Sequence, residues 1–422
     1  MINAGDTAWV LASAALVMLM TPGLALFYGG MVRAKNVLAM LMANFFTITI
    51  VTLIWIVVGF SLAFGPGGKF IGNFDWVGLM DVGEAPLPFA ATIPGSAFMV
   101  FQMMFAIITP ALITGAVAER MKFSAWIIFC AIWSLVVYSL VAHWAFAPDG
   151  WLFDWGARDF AGGLVVHINA GAAALALVLA LGRRRGWPKE AIRPHSLPLT
   201  LLGTGILWFG WFGFNAGSAL GAGGLAGNAF VTTQVAAAMA AGGWVAAEWL
   251  KTGKPTTLGA ASGAVAGLVA ITPCAGFVGP MAAIIIGVIA GVICYLACNL
   301  KFRFGFDDSL DVIGVHLVGG IVGSLLLGVL AQFTVNPAGL CKGTVADGLC
   351  DGTKIEGLVY GGGDFMLKQL VGVIAVAAFS FIVSYGLALL IKAVIGLRAT
   401  DEDEVAGLDI ALHEERGYVF AE

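Results

Sequence analysis

Two histidines stand inside long apolar stretches, where ionisable side chains are rare. His167 follows Asp159 in DFAGGLVVHINAGAAAL, and His316 follows Asp311 in DVIGVHLVGGIVGSLL. A neutral imidazole has one donor and one acceptor nitrogen, so two facing rings can share a proton and still bind a small polar molecule. Such a pair suits proton relay, or passage of a molecule that both donates and accepts hydrogen bonds. The alternative is two separate core histidines, each satisfied by a backbone carbonyl.

Aromatic residues at helical spacing form a second candidate group. Phe101 and Phe105 are four residues apart and share a helix face, and Trp211, Phe214 and Ser218 share another. An aromatic cluster ending in a hydroxyl would hold a small cation by cation–π attraction and offer it one acceptor. Stacked phenylalanine rings below would close the path to water. An aromatic belt at a membrane interface explains the same spacing equally well.

The acidic residues near these groups suggest structural roles first. Asp159 and Asp311 each begin a glycine-rich stretch, so both are expected to cap a helix N-terminus. Asp159 can do this and still attract a nearby cation. Glu119 and Arg120 are expected to form a solvated pair. No Cys, Asp, Glu or third His lies three or four residues from either histidine, so we predict no metal site, and hydrolase motifs are absent.

The composition identifies the kind of fold that must position these groups. Of 422 residues, 60% are hydrophobic and only 11% are charged, and the mean hydropathy is +0.96. A soluble fold of this size could not cover its surface with so few charges. Soluble enzymes, nucleic-acid binders and disordered proteins are therefore excluded. The pattern predicts an all-α polytopic membrane protein, with no nucleic-acid partner.

Eleven apolar stretches are long enough to be transmembrane helices, since a crossing needs about 20 residues. They are residues 8–30, 40–64, 94–118, 124–147, 160–182, 197–217, 229–250, 257–275, 278–300, 312–332 and 368–395. With the N-terminus outside, 16 of the 21 Lys and Arg residues fall in inner segments. The five outer ones are Lys69, Arg158, Lys342, Lys354 and Lys368. Because basic residues favour the cytoplasmic side, we predict an N-out, C-in topology.

The two histidine stretches also suggest an internal duplication. They belong to the fifth and tenth predicted spans, so each repeat holds an odd number of helices. Such halves insert in opposite directions and are related by an axis in the membrane plane. We therefore predict an inverted 5+5 repeat, about 8–182 and 197–332, plus one extra helix. The axis would bring His167 and His316 together near the midplane.

Two further features concern the ends and loops of the chain. The stretch 8–30 follows no basic residue, unlike a secretory signal, and is predicted to be a retained helix. Cys341 and Cys350 share the last outer loop, CKGTVADGLC, and a disulfide between them is plausible in an oxidising compartment but not required.

With these residues in view, the chain resembles the ammonium transporter (Amt/Mep/Rh) family, and bacterial Amt proteins above all. The resemblance runs from end to end. It rests on TPGLALFYGGMVRAKN (21–36), FQMMFAIITPALITGAVAER (101–120), DFAGGLVVHINAG (159–171), GWFGFNAGS (210–218), DDSLDVIGVHLVGGIVG (307–323) and GLDIALHEERGY (407–418).

The resemblance implies an outer ammonium site. Phe101, Trp211 and Ser218 match its residues, and Asp159 matches the acid that the site requires. The family usually has a tryptophan at the position where this chain has Phe146, and Trp144 and Trp151 are the alternatives for that wall of the site.

The resemblance also implies a pore below that site. Phe105 and Phe214 match a stacked phenylalanine gate, and His167 and His316 match a twin-histidine pair. Thr272 matches a threonine on the outer side.

The resemblance further implies assembly and regulation. The family forms homotrimers in the plasma (inner) membrane. A membrane domain (1–396) would precede a cytoplasmic regulatory tail (397–422), where a PII-type (GlnK-like) protein docks. Gly407, Leu408, Asp409 and Tyr418 belong to that tail segment, whereas composition alone marks the DEDE run at 401–404 as solvated.

The function implied is ammonium transport. The cation would bind outside, lose its proton and cross as ammonia, with or without a relayed proton. An Rh-type channel for neutral ammonia or carbon dioxide and an ammonium sensor are the alternatives. The sequence predicts neither an enzyme nor a cofactor.

Overall fold

The computed structural model describes residues 1–190 and 192–418. Within these ranges, ten helices are long and apolar enough to cross a bilayer, and one further apolar helix is shorter. In chain order they are α1 (Ala4–Met31), α2 (Ala34–Phe64), α3 (Gly95–Val117), α4 (Phe123–Trp155), α5 (Gly163–Leu181), α6 (Leu197–Gly217), α7 (Gly224–Thr252), α8 (Thr257–Ile271), α9 (Pro280–Phe304), α10 (Ile313–Leu330) and α11 (Gly363–Val394). Two short helices follow, α12 (Asp401–Ala406) and α13 (Leu408–His413).

Each of the eleven predicted spans overlaps one of these helices, which confirms the all-α polytopic fold. The shorter helix is α8, whose 15 residues extend about 22 Å, less than the roughly 30 Å of a bilayer core. The predicted end of the fourth span at residue 147 agrees with the structure, in which the long helix ends at Phe146 and a separate short helix follows after a turn, over Trp151–Trp155. The number of crossings and the direction of the termini stay predictions.

We call the side that carries the α10–α11 loop the outer side and the side that carries α12 and α13 the inner side, following the Lys and Arg distribution. The outer loop holds four two-residue strands: β1 (Cys341–Lys342), β2 (Val345–Ala346), β3 (Leu349–Cys350) and β4 (Thr353–Lys354). Antiparallel pairs form between β1 and β4 and between β2 and β3. Cys341 and Cys350 form the disulfide that the sequence left open.

The centre of the bundle is formed by α3 and α5, each with 89% of its most apolar stretch buried, whereas α11 has only 33% buried. The histidine-bearing helices α5 and α10 cross at glycines. A Cβ atom on Gly171 would lie 2.5 Å from the Leu317 nitrogen, and one on Gly320 would lie 3.1 Å from the His167 Cβ. These two glycines therefore allow the histidine segments to approach each other, as small residues do in membrane bundles.

Both histidine segments are wound as π-helix, over Gly163–Ile168 and Ile313–Leu317. Two other π-helical segments occur, at Trp55–Gly59 in α2 and Ser134–Tyr138 in α4. A π-helical turn adds one residue to the local helix repeat and is often found at functional sites. Its recurrence beside His167 and His316 agrees with the predicted inverted repeat.

The tail packs against the inner ends of the bundle. Leu408, at the start of α13, is 3% exposed, and its N–H donates to Asn36 Oδ1 over 2.9 Å. Asp409 Oδ1 accepts from the Ala39 N–H near the start of α2, over 2.8 Å. The last four residues of the predicted tail, 419–422, lie outside the described residues.

Candidate functional site

An outer cavity of about 280 Å³ lies between the outer ends of several helices. Phe105, Phe146, Asp159 and Ser218 all line it. The Ser218 hydroxyl donates to the Phe214 carbonyl over 2.8 Å, so its oxygen lone pairs remain available to accept. The cavity therefore combines aromatic faces with one hydroxyl acceptor, which is the chemistry that suits a small cation.

Two aromatic rings in a tilted contact lie at the bottom of this cavity. The centroids of Phe105 and Phe214 are 4.3 Å apart, at an interplanar angle of 35°, and both residues are 1% exposed. Phe101 is fully buried and meets Phe105 edge-on at 5.0 Å, and it is not among the residues that line the cavity. Phe101 precedes Phe105 by about one helical turn, toward the outer end of α3. The Phe214 ring lies 6.1 Å from the ring of His167, so the gate separates the cavity from the histidine.

Trp211 does not lie with the outer group, contrary to the sequence expectation. Its ring stacks on His167 at 5.5 Å, and its Nε1 donates to Thr272 Oγ1 over 2.9 Å. Seven residues of helix separate Trp211 from Ser218, which is about 10 Å of axial rise. Trp211 is therefore below the gate, and Thr272 fixes the orientation of its indole.

The two histidines meet inside the bundle, which confirms the predicted proximity. His167 Nδ1 and His316 Nδ1 are 3.3 Å apart, and the ring centroids are 5.4 Å apart. Both residues are at most 3% exposed. In a hydrogen bond at this distance one Nδ1 donates and the other accepts, and the tautomers of the two rings decide which. His167 Nε2 is buried without a hydrogen-bond partner among the described residues, so it is free to bind a molecule in the path.

Asp159 holds the start of the first histidine segment. Its Oδ1 accepts from Gly162 and Gly163, and its Oδ2 accepts from Leu164 and Val165, over 2.7–3.1 Å. The expected capping role is therefore present. Because all four donors are backbone N–H groups, the carboxylate is occupied by the segment that carries the histidine.

The equivalent cap in the second repeat is Asp308, not Asp311. Asp308 accepts from the N–H groups of Val312 and Ile313 over 3.1 and 2.7 Å. Asp311 instead pairs with Lys301 at 2.7 Å. Asp159 precedes His167 by eight residues and Asp308 precedes His316 by eight. That shared spacing was the sequence signal that distinguishes Asp308 from Asp311.

Arg158 is a buried cation beside the cavity that sequence reasoning treats only as an outer-loop basic residue. It is 5% exposed, and it donates to the carbonyls of Gly339, Phe153 and Ala157 over 2.6–2.9 Å. Burial lowers the pKa of its guanidinium to about 10, so the group stays charged at neutral pH.

The inner end holds a buried network of charges. Glu119 pairs with Arg33 at 2.9 Å, and Asp307 pairs with Arg184 at 2.8 Å and with Arg120 at 3.8 Å. Glu119 and Arg120 are 4% and 0% exposed, so the expectation of a solvated pair is wrong. Burial acts to raise the pKa of Glu119, but Arg184 and Arg33 outweigh it and hold that pKa below its usual value.

The predicted tail residues lie together on the inner side. Gly407 has a φ of +104°, which places the turn between α12 and α13 in a region that favours glycine. Leu408 and Asp409 make the contacts to Asn36 and Ala39 described above. The Tyr418 hydroxyl lies 2.7 Å from His195 Nε2.

The acidic run of the tail is only partly solvated. Asp401 and Glu402 are exposed, but Glu404 is 4% exposed and its Oε2 accepts from Arg398 Nη2 over 3.0 Å. Asp403 forms a capping box with Thr400 at the start of α12. The run therefore begins a docked helix.

The fold and site define a polytopic membrane protein with a gated internal path from an aromatic cavity to a histidine pair. Comparison with known proteins identifies the class further. The family model "Ammonium Transporter Family" matches residues 8–418, and the chain belongs to this family. It is 51% identical to an ammonium transporter of Mycobacterium tuberculosis, over 99% of this chain and 91% of that one.

Solved structures give the same grouping. Mep2 of Candida albicans superposes with a TM-score of 0.87 at 36% identity, covering 95% of this chain and 88% of that chain. A structure titled "Sensor Amt Protein" superposes with a TM-score of 0.85 at 30% identity, covering 97% and 98%.

Proposed function

We propose that this protein transports ammonium by binding the cation at the outer cavity and conducting ammonia past His167 and His316. The observation that carries this proposal is the buried histidine pair below a closed phenylalanine gate, with Nδ1 atoms 3.3 Å apart. Family membership and relatives that are named ammonium transporters support the substrate.

Recognition begins with the cation in the outer cavity. Ring faces of Phe105 and Phe146 attract it, and the Ser218 oxygen accepts one of its hydrogen bonds. Potassium is similar in size, so a size filter discriminates poorly, whereas ammonium donates hydrogen bonds and can lose a proton. Asp159 keeps the cavity wall in place through its four backbone contacts and adds negative charge nearby.

Deprotonation explains how the gate and the pore admit ammonia and exclude cations. Moving a cation through a dry apolar path costs several kcal/mol, whereas neutral ammonia avoids that cost. Beyond the Phe105–Phe214 gate, His167 Nε2 is free to accept from ammonia or donate to it, depending on its tautomer. The proton either returns to the outer solution or passes along the paired imidazoles.

Assembly, location and regulation belong to the same proposal. The protein is a homotrimer in the plasma (inner) membrane, with its N-terminus outside and its C-terminus in the cytoplasm. A PII-type (GlnK-like) signalling protein docks at the inner face. The docked helices α12 and α13 support this by giving the inner face a defined surface.

Two alternatives use the same path. An Rh-type channel would pass ammonia or carbon dioxide without charge. A sensor would bind ammonium and signal its occupancy, and the 30% identical "Sensor Amt Protein" favours keeping this candidate. A transporter can also signal through its tail.

The experiment is a current measurement on the purified protein in liposomes on a solid-supported membrane. Ammonium jumps are compared with potassium jumps. A current specific to ammonium supports transport with net charge. Internal alkalinisation without current favours the Rh-type channel, and no response of either kind favours the sensor.

A matched pair of variants tests the outer site in the same assay. Ser218→Ala removes the cavity hydroxyl, whereas Ser139→Ala removes a buried hydroxyl that also donates to a carbonyl of its own helix, away from the cavity. We expect Ser218→Ala to raise the half-saturating ammonium concentration about tenfold, the effect of one lost hydrogen bond to a charged ligand. Ser139→Ala should leave it unchanged.

A further inference from the structure

Arg158 is a buried positive charge that has no opposite charge beside it in the part of the chain that the structure describes. Its guanidinium lies 4.5 Å from the centre of the Phe153 ring and, within residues 1–190 and 192–418, donates only to backbone carbonyls. No ion pair to Arg158 occurs among the described residues. A buried charge is usually paired, because carbonyl dipoles offset only part of the lost hydration.

The neighbouring carboxylate does not supply the missing charge. Asp159 directs both oxygens at the N–H groups of residues 162–165. Both oxygens are therefore engaged by the histidine segment, and neither is within ion-pair distance of Arg158.

Two side chains of the cavity wall that bond to the same residue each keep a donor group without a partner among the described residues. Arg158 and Asn336 both line the outer cavity. Gly339 connects them, since its carbonyl accepts from Arg158 Nε over 2.6 Å and its N–H donates to Asn336 Oδ1 over 2.9 Å. Among the described residues, Arg158 Nη2 and Asn336 Nδ2 have no hydrogen-bond partner. Gly339 therefore holds both side chains through other atoms and leaves Arg158 Nη2 and Asn336 Nδ2 available to a ligand.

We propose that the outer cavity binds a small monovalent anion, such as chloride, between Arg158 Nη2 and Asn336 Nδ2. The pair offers only donors and one positive charge, which is the chemistry that an anion requires. This inference deepens the proposed function and rests on it in one respect: ammonium would enter the same cavity. A bound anion offsets the repulsion between Arg158 and that cation, so anion and ammonium bind cooperatively.

The anion site is tested first without any transport measurement. Crystals of the full chain are soaked in bromide, whose anomalous signal locates the ion. We expect a peak in contact with Arg158 Nη2 in the unmodified protein and in Lys69→Gln, and none in Arg158→Gln. Lys69 is the matched control because it is an exposed outer basic residue that pairs with Asp154 away from the cavity. An unmodified protein without a peak, or a peak that persists in Arg158→Gln, would overturn the site.

Cooperation with ammonium is tested by replacing chloride with gluconate in the liposome assay. Gluconate is too large for a site inside the cavity. We expect the half-saturating ammonium concentration to rise about tenfold in the unmodified protein and in Lys69→Gln, as expected when a nearby charge is no longer offset. In Arg158→Gln it should not depend on the anion.

The two proposals fail in distinguishable ways. Ammonium transport that is independent of the anion in all three proteins would overturn the cooperation and leave the transport proposal standing. A bromide peak at Arg158 in a protein that does not transport ammonium would leave the anion site standing and contradict the transport proposal.

Discussion

The outer and inner ends of the path share one arrangement but balance their charges differently. At each end a carboxylate caps a π-helical segment and a histidine follows eight residues later, at Asp159–His167 and Asp308–His316. The inner end is surrounded by ion pairs, of which Arg184–Asp307 is the shortest within the buried network. At the outer end, the partners of Arg158 among the described residues are backbone carbonyls.

This difference distinguishes charges that stabilise the fold from a charge that is available to a ligand. Charges that neutralise one another, as at the inner end, hold helices together. A charge left without a partner beside a cavity keeps capacity for a ligand, at a cost in stability. Substitutions at matched positions of the two ends therefore test which residues stabilise the fold and which serve the ligand.

The largest effect is expected from the two caps. Asp159→Asn keeps one of the two acceptor oxygens and therefore loses two of the four hydrogen bonds from the backbone. Asp308→Asn loses one of its two hydrogen bonds. At about 1.5–3 kcal/mol for each bond to a charged group, Asp159→Asn should cost about 3–6 kcal/mol and Asp308→Asn about half of that. Thermal unfolding in detergent measures both, with the exposed Asp347→Asn as control. Equal losses of unfolding free energy for the two variants would show that the number of backbone donors at a cap does not determine its contribution to stability.

The next effect concerns the two buried arginines. Arg184→Gln leaves Asp307 and Glu119 short of positive charge, so we expect a loss of about 3–5 kcal/mol. Arg158→Gln leaves no carboxylate unpaired and loses bonds to carbonyls, so we expect only about 1–3 kcal/mol. The same unfolding measurement compares them. A larger loss for Arg158→Gln would mean that its role is structural.

The inner ion pairs also predict a pH dependence. Glu119 has a lowered pKa in the folded protein. Its contribution to the free energy of unfolding is therefore complete above its pKa in the unfolded chain, about 4.3, and is lost as the pH falls through its pKa in the folded protein. Glu119→Gln should therefore have a lower Tm near neutral pH but a smaller fall in Tm on acidification from neutral pH to below about pH 4. Parallel curves of Tm against pH for the two proteins would show that Glu119 does not contribute to this pH dependence.

The smallest effect is expected in the tail. Asp409→Ala removes an acceptor at the start of α2, which costs about 1 kcal/mol and acts locally on α13. Hydrogen exchange over residues 400–418 should become faster, while exposed Asp401→Ala leaves it unchanged. Unchanged exchange in Asp409→Ala would show that Leu408 and its bond to Asn36 hold the tail alone.

The sequence predicts the helices well because a membrane helix is determined by length and hydropathy. The proximity of His167 and His316 was also predictable, since two similar stretches five helices apart imply an inverted repeat. The sequence left the disulfide open and did not predict that the tail packs against the bundle. In both cases the contacting residues are joined by loops whose paths hydropathy does not determine.

The errors at the site have a common physical origin. Trp211 shares a helix face with Ser218, but a shared face says nothing about depth, and the axial rise between them places the gate in between. Asp311 begins the glycine-rich stretch, whereas the distance to the histidine identifies Asp308 as the cap. Arg158 was missed because the burial of a loop residue depends on Gly339, which is far away in sequence.

The histidine pair is proposed to make the path selective for ammonia over cations. The most direct test is the His167→Ala and His316→Ala double variant in liposomes, with ammonium and potassium jumps measured side by side. We expect the double variant to lose its selectivity for ammonium and to show a potassium current. A double variant that still excludes potassium and conducts ammonium normally would contradict this proposal.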